Sequence, residues 1–123
     1  MDRRLFDLVK GWVGDPPTGD HVIMVSHRPT PQGWHPQASC HFVTDVTTAV
    51  VKAPQLARDR VVSVNAGDVG AQILAAGLVG EVAMDVVPVV SGSGRRYCGS
   101  IHGRHLFEDP HVVIEGDRVL HLR

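Results

Sequence analysis

The chain has 123 residues, a formal net charge of −1, 43% hydrophobic residues and 20% charged residues. That length supports one domain around a single core, and the composition is globular rather than disordered. The near-neutral balance excludes a basic field for gathering nucleic acid or acidic lipid. No apolar run approaches the roughly 20 residues that span a bilayer. The opening Met1-Asp2-Arg3-Arg4 is charged, and the amphipathic stretch after it lacks the apolar core and small-residue cleavage site of a secretion signal. A cytoplasmic protein is expected. Cys40 and Cys98 lie far apart and outside any C-x-x-C pattern, so free thiols are expected rather than a disulfide or a metal site.

Leu5, Leu8, Val9 and Trp12 follow helical spacing and predict a short helix over the first dozen residues. Gly14-Asp15-Pro16-Pro17-Thr18-Gly19 stops it. Val22-Ile23-Met24-Val25 is a β-rich apolar run of the kind buried on both faces of a parallel sheet. Residues 28–39 carry prolines and a glycine and read as a surface loop. His41-Phe42-Val43 is a short strand. Thr44-Asp45 supplies a capping oxygen for a helix in which Val46, Ala49, Val50, Ala53 and Ala57 repeat. Pro54 should kink that helix or end it early.

Val61-Val62-Ser63-Val64 predicts another buried strand. Asn65-Ala66-Gly67-Asp68 is a turn, and Asp68 is placed to cap a helix bearing Val69, Ile73, Leu74 and Ala76. Gly77 should end that helix in the left-handed conformation. Residues 82–90 predict a long strand, with Pro88 pointing to an edge or a bulge near its end. Ser91-Gly92-Ser93-Gly94 is a flexible turn. Val112-Val113-Ile114 and Val119-Leu120 flank Gly116-Asp117, a two-residue hairpin turn with glycine first. The β-α-β-α-β alternation in the middle predicts an α/β fold, a mostly parallel sheet flanked by helices, followed by an antiparallel hairpin.

Ligands of open α/β sheets bind beyond the carboxyl ends of strands. Two such ends attract notice. Gly67-Asp68-Val69-Gly70 follows a predicted strand and opens a helix, where unpaired N–H groups and the helix dipole favour a phosphate and glycine permits close approach. Asp68 counts against this, because its carboxylate competes for the same donors. Ser26-His27-Arg28 ends the first strand with a hydroxyl, an imidazole and a guanidinium, a set able to hold a phosphate monoester. The plain alternatives are a tight turn at the first place and a solvated loop entrance at the second. His102 with His105, and His35 with His41, are the metal candidates, but no carboxylate or cysteine cluster completes a site. Gly94-Arg95-Arg96 is a solvated basic turn or a second phosphate contact. Gly-x-Ser-x-Gly is absent.

The run Gly77-Leu78-Val79-Gly80-Glu81-Val82, with Val86-Val87-Pro88-Val89-Val90-Ser91-Gly92-Ser93-Gly94-Arg95, resembles a signature of the bacterial bifunctional deaminase-reductase C-terminal domain family. That domain is the reductase of riboflavin biosynthesis and has the dihydrofolate-reductase-like fold. Arg3-Arg4-Leu5-Phe6-Asp7, Gly11-Trp12, Pro16-Pro17-Thr18-Gly19-Asp20 and the tail from Leu106 to Arg123 look like stand-alone members of the superfamily. The resemblance implies an NADPH-dependent reductase of a pteridine or a ribosylamino-pyrimidine, with a small-molecule substrate and a homodimeric state. It implies that Arg3 faces the cofactor phosphates and that Ser26, His27 and Arg28 lie at the adenosine 2′-phosphate. Thr44 would lie near the adenine, and Gly67, Asp68, Val69 and Gly70 at the pyrophosphate. Asn65 stands where the riboflavin reductases carry a substrate-binding glutamate, and Gly80 where an aspartate is usual. Family members begin with a first strand, a Ser-Leu-Asp-Gly-like motif and a loop over the nicotinamide. Here the chain opens at the Gly-Arg helix with Asp2 in the place of the glycine, so an N-terminally truncated member is expected and no catalytic residue is assigned. The other reading is a non-catalytic NADP(H)-binding or dimerising module.

Overall fold

Hydrogen bonding at the very start of the chain organises the first sheet. The structure, a computed structural model, describes residues 1–34 and 39–123. Strand β1 (Val22–Val25) pairs in parallel with β2 (Cys40–Val43), Val22 opposite Cys40 and Val25 opposite Val43. On the other edge of β1, the Met1 amine donates to the Ile23 carbonyl at 2.9 Å, and Val25 N–H donates to the Met1 carbonyl at 3.0 Å. Asp2 completes a parallel bridge to Val25. Both edges of β1 are therefore paired. Burial pushes the Met1 ammonium below its ordinary value, as desolvation disfavours a cation.

Helix α1 (Arg3–Leu8) starts directly from that bridge, with the Asp2 carboxylate accepting from Leu5 N–H as its cap. The expected helix through Trp12 ends four residues sooner. From Lys10 to Val13 every φ lies between 50° and 58°, a left-handed turn that reverses the handedness of α1. Gly11 is buried there, and a Cβ on it would collide with the Trp34 ring and press on Phe6. Phe6, not the predicted Leu5–Leu8–Trp12 stripe, is the buried residue of α1, and Leu8 is exposed. Phe6, Trp34 and Phe42 form an aromatic cluster with centroids 4.6 to 6.4 Å apart, tilted or edge-on, the geometry ring quadrupoles favour.

Helix α2 (Val46–Ala57) is capped by Asp45, which accepts from Thr48 N–H at 2.7 Å. Pro54 lies inside the last turn of α2 without ending it, and its carbonyl accepts from Arg58 N–H. Helix α3 (Asp68–Ala75) closes as expected. Gly77 has φ 69°, its N–H bonds to Leu74 O, and Leu78 N–H bonds to Ile73 O, the paired bonds of a Schellman motif. Asp68 does not cap α3. Gly67 holds the cap position, and the Asp68 carboxylate instead accepts from Ser100 N–H.

The largest departure is at residues 61–64. They join no sheet, and Val61 is 92% exposed. Met1 and Asp2 already occupy the free edge of β1, so no ladder is open to these residues there. The predicted mostly parallel sheet is accordingly replaced by two sheets, the parallel pair and a three-stranded antiparallel sheet of order β3-β5-β4. Its strands are β3 (Met84–Val86), β4 (Val113–Gly116) and β5 (Val119–Leu122). The run over 82–90 shortens to β3, an edge strand that stops before Pro88, which has no N–H for a ladder. The hairpin is present but its turn is shifted by one residue. Gly116 pairs with Val119, leaving Asp117 and Arg118 in the turn, with Arg118 at φ 59°. The architecture is mixed α/β with three α-helices among the described residues. None of the described helices is long and apolar enough to cross a membrane. Cys40 and Cys98 are free thiols.

Candidate functional site

The carboxyl ends of β1 and β2 form one pole of the parallel sheet, and the starts of all three helices gather there. Helix α1 begins beside Val25 through the Asp2 bridge, and α2 begins two residues after β2. The start of α3 is tied in by Asp2, whose second carboxylate oxygen lies 3.5 Å from where a Cβ on Gly67 would stand.

Arg3 and Arg28, distant in sequence, meet at Asp7. Arg3 Nε lies 2.7 Å from one Asp7 carboxylate oxygen, and the Arg28 guanidinium lies 2.7 Å from the other. Arg3 also donates to the Pro29 carbonyl at 3.1 Å and rests 5.4 Å from the Phe6 ring centroid, so its guanidinium is fixed on three sides. The two arginines differ in freedom. The Arg3 side chain is 16% exposed and the Arg28 side chain 62%. The hydrogen bond from Arg3, joined by that from Arg28, holds the Asp7 carboxyl below its ordinary range. Asp7 was not singled out in the sequence. Its signal was the four-residue spacing from Arg3, which brings side chains together on a helix face.

The other predicted contacts are committed locally. Ser26 Oγ accepts from Arg28 N–H at 3.0 Å and donates to the Arg28 carbonyl, so it shapes the loop that presents Arg28. His27 is exposed. Thr44 Oγ1 donates to Asp45, whose carboxyl is held low chiefly by the Thr48 N–H. The space beside Gly70 is filled by the protein itself. Gly67 faces Asp2, and a Cβ on Gly70 would come within 3.0 Å of the Asn65 carbonyl. The segment after Tyr97 lies over the start of α3. Gly67 N–H bonds to Tyr97 O, and Gly99, at φ 51°, has no room for a Cβ against Asp68 and Gly67. Glycine at 70 and 99 thus serves close packing of the chain on itself, whereas Gly67 is required by its φ of 103°. Val69 is buried and turned into the core, so only its backbone N–H could face a ligand.

The structure therefore brings Arg3, Ser26 and Arg28 together at one pole, with Thr44 at the next strand end. Gly67 is joined to that pole through Asp2. Asn65 sits beneath α3 through its carbonyl and is exposed. Of the metal candidates, His35 lies outside the described residues. His41 pairs with His21 at 3.4 Å between ring nitrogens. No group of three or more metal-ligating side chains is found among the described residues. Arg95 and Arg96 are exposed.

The chain matches no family model, no curated protein and no solved structure.

Proposed function

We propose that the chain is an NADP(H)-binding, dihydrofolate-reductase-like protein whose cofactor phosphates are received at the carboxyl pole of the parallel sheet. The observation that carries this reading is the convergence of Arg3 and Arg28 there, one guanidinium anchored and nearly buried and the other exposed and, among the described residues, held by Asp7 alone. Arginine presents planar paired donors suited to a phosphate monoester. Arg28 is the group assigned to the 2′-phosphate, because a side chain so exposed can leave Asp7 for a doubly charged ligand. Arg3 holds its position and adds positive potential. The start of α3 adds the dipole of an eight-residue helix. Asp2, Asp7 and Asp68 work against an anion, so binding depends on the arginines rather than on the helix starts alone. NADPH, when bound, supplies a hydride to a pteridine-like or pyrimidine-like acceptor. No residue of the pole is assigned to the chemistry, and a binding module without turnover is the second reading for that reason.

The test is selective binding. NADPH should quench fluorescence of Trp12 and Trp34 or raise the melting temperature more than NADH does. Arg28→Ala should weaken NADPH binding about tenfold or more, the loss of one charge-assisted contact, and leave NADH unchanged. No response to either nucleotide at millimolar concentration sinks the proposal. Oxidation of NADPH in the presence of a pteridine or pyrimidine then separates a reductase from a binding module.

A further inference from the structure

Two histidines 20 residues apart in sequence share one face of the parallel sheet. Ile23 pairs directly with His41, and His21 lies two residues before Ile23. Side chains two apart on an extended chain point the same way. The bond from Val22 N–H to the Ser39 carbonyl, 2.8 Å, carries the ladder to the residue after His21, so both histidines stand on or beside paired backbone. His21 Nδ1 lies 3.4 Å from His41 Nε2, with ring centroids 5.3 Å apart and planes at 50°. His21 is exposed and His41 half-buried. The pair sits toward the amino end of the sheet, away from the arginine pole.

The spacing decides what the pair is suited to hold. A well-made N–H hydrogen bond spans roughly 2.7–3.2 Å, less than this separation. Two imidazole nitrogens on one tetrahedral zinc ion, each about 2.0–2.1 Å from the metal, stand about 3.3–3.4 Å apart. On an octahedral ion of the magnesium kind, ligands at a similar radius stand only about 2.8–3.0 Å apart. The observed 3.4 Å is the tetrahedral edge.

The surrounding charges nearly balance. Lys52 faces His41 and opposes a cation. Burial first, then Lys52 and His21, hold the His41 pKa below 6.5, which keeps its lone pair free of a proton at neutral pH. Asp20 adds negative charge beside His21. The Arg60 guanidinium, 2.7 Å away, holds its carboxyl low, with a smaller contribution from His21. Cys40 precedes His41 in β2 and so lies on the opposite face, and burial pushes its thiol up.

We propose that His21 and His41 form a two-histidine site for a tetrahedral divalent transition metal, zinc by its geometry, which staples β1 to β2 and leaves the remaining positions to water. Adjacent paired strands fix both ligands before the metal arrives. Two protein ligands hold zinc less tightly than the four of a closed structural site. The site is independent of the nucleotide reading.

The experiment is a zinc titration of the full chain at about pH 7.5, where unperturbed histidine is mostly neutral, followed by calorimetry and by NMR of the imidazole nitrogens. His21 and His41 should be the first of the eight histidines to shift. His21→Gln and His41→Gln should each weaken binding about tenfold or more, and Cys40→Ser should not. Magnesium should leave both rings unchanged. Zinc should raise the melting temperature of the wild type, and binding should weaken below about pH 6.5 as protons displace the metal. Should a variant fail to fold, the order of shifts in the wild type still decides. No shift of His21 and His41 at about 1 mM zinc, far above a useful dissociation constant, overturns the proposal. So does binding that survives both histidine substitutions, or binding that Cys40→Ser abolishes with the fold intact.

Discussion

The two halves of the chain handle similar residues in opposite ways. Phe6, Met24, Ala49, Val69, Ala71 and Ile73 form the buried apolar core, and none lies beyond position 73. The later half is as rich in valine and leucine, yet Val87, Val89, Val90, Leu106, Val113 and Ile114 are all exposed. The difference is one of layers. In the first half β1 and β2 are packed by helices, α1 meeting Phe42 through Phe6 and α2 contacting both strands. In the second half the sheet has two bare faces. Apolar side chains stabilise a fold only where another layer removes them from water. The same residue types thus make a core in one half and a sticky surface in the other.

Substitutions sharpen this contrast, beginning with the largest effect. Met24 is fully buried, and Met24→Ala should lower stability by about 2–5 kcal/mol. Val90→Ala, fully exposed in the later half, should change it by less than about 0.5 kcal/mol. Urea unfolding of both variants checks the pair, and equal losses would erase the distinction between the halves. Next in size is Gly99→Ala. A Cβ there would lie 2.5 Å from the Asp68 carboxylate and 2.8 Å from Gly67, at φ 51°. A loss of about 1–3 kcal/mol is expected, measured in the same way, because this contact lays the Tyr97–Ser100 segment over the start of α3.

A smaller effect follows from His41. Burial, then Lys52 and then His21, lower its pKa from 6.5 in the fold. The unfolded chain therefore takes up this proton more readily than the folded one. The stability contribution is fully present above pH 6.5 and is lost as pH falls through the lowered folded value. Melting temperatures should drop on going below neutrality, and His41→Gln should flatten that slope. An unchanged slope would mean that the His21–His41 pair does not report on folding.

Features governed by neighbours along the chain were legible in the sequence. The Asp45 cap, the left-handed Gly77 and the bounds of β1 each depend on a few adjacent residues. Features decided by distant partners were not. Residues 61–64 have strand composition, but the ladder beside β1 is taken by Met1 and Asp2. Asp68 has the chemistry of a helix cap, but Ser100 claims it from 32 residues away. Lys10 to Val13 continue a helical stripe, yet the packing of Gly11 against Trp34 and Phe6 coincides with a turn of the opposite hand. At the candidate site the strand-end arginine could be picked out, whereas its meeting with Arg3 at Asp7 required the fold.

Amide hydrogen exchange with and without NADPH tests most directly whether the packed half also carries the cofactor pole. Protection should rise at residues 26–28, 44–46 and 67–70 and stay unchanged in Met84–Val86 and Val113–Gly116. Protection confined to those outer strands, or no change anywhere at saturating NADPH, would contradict it.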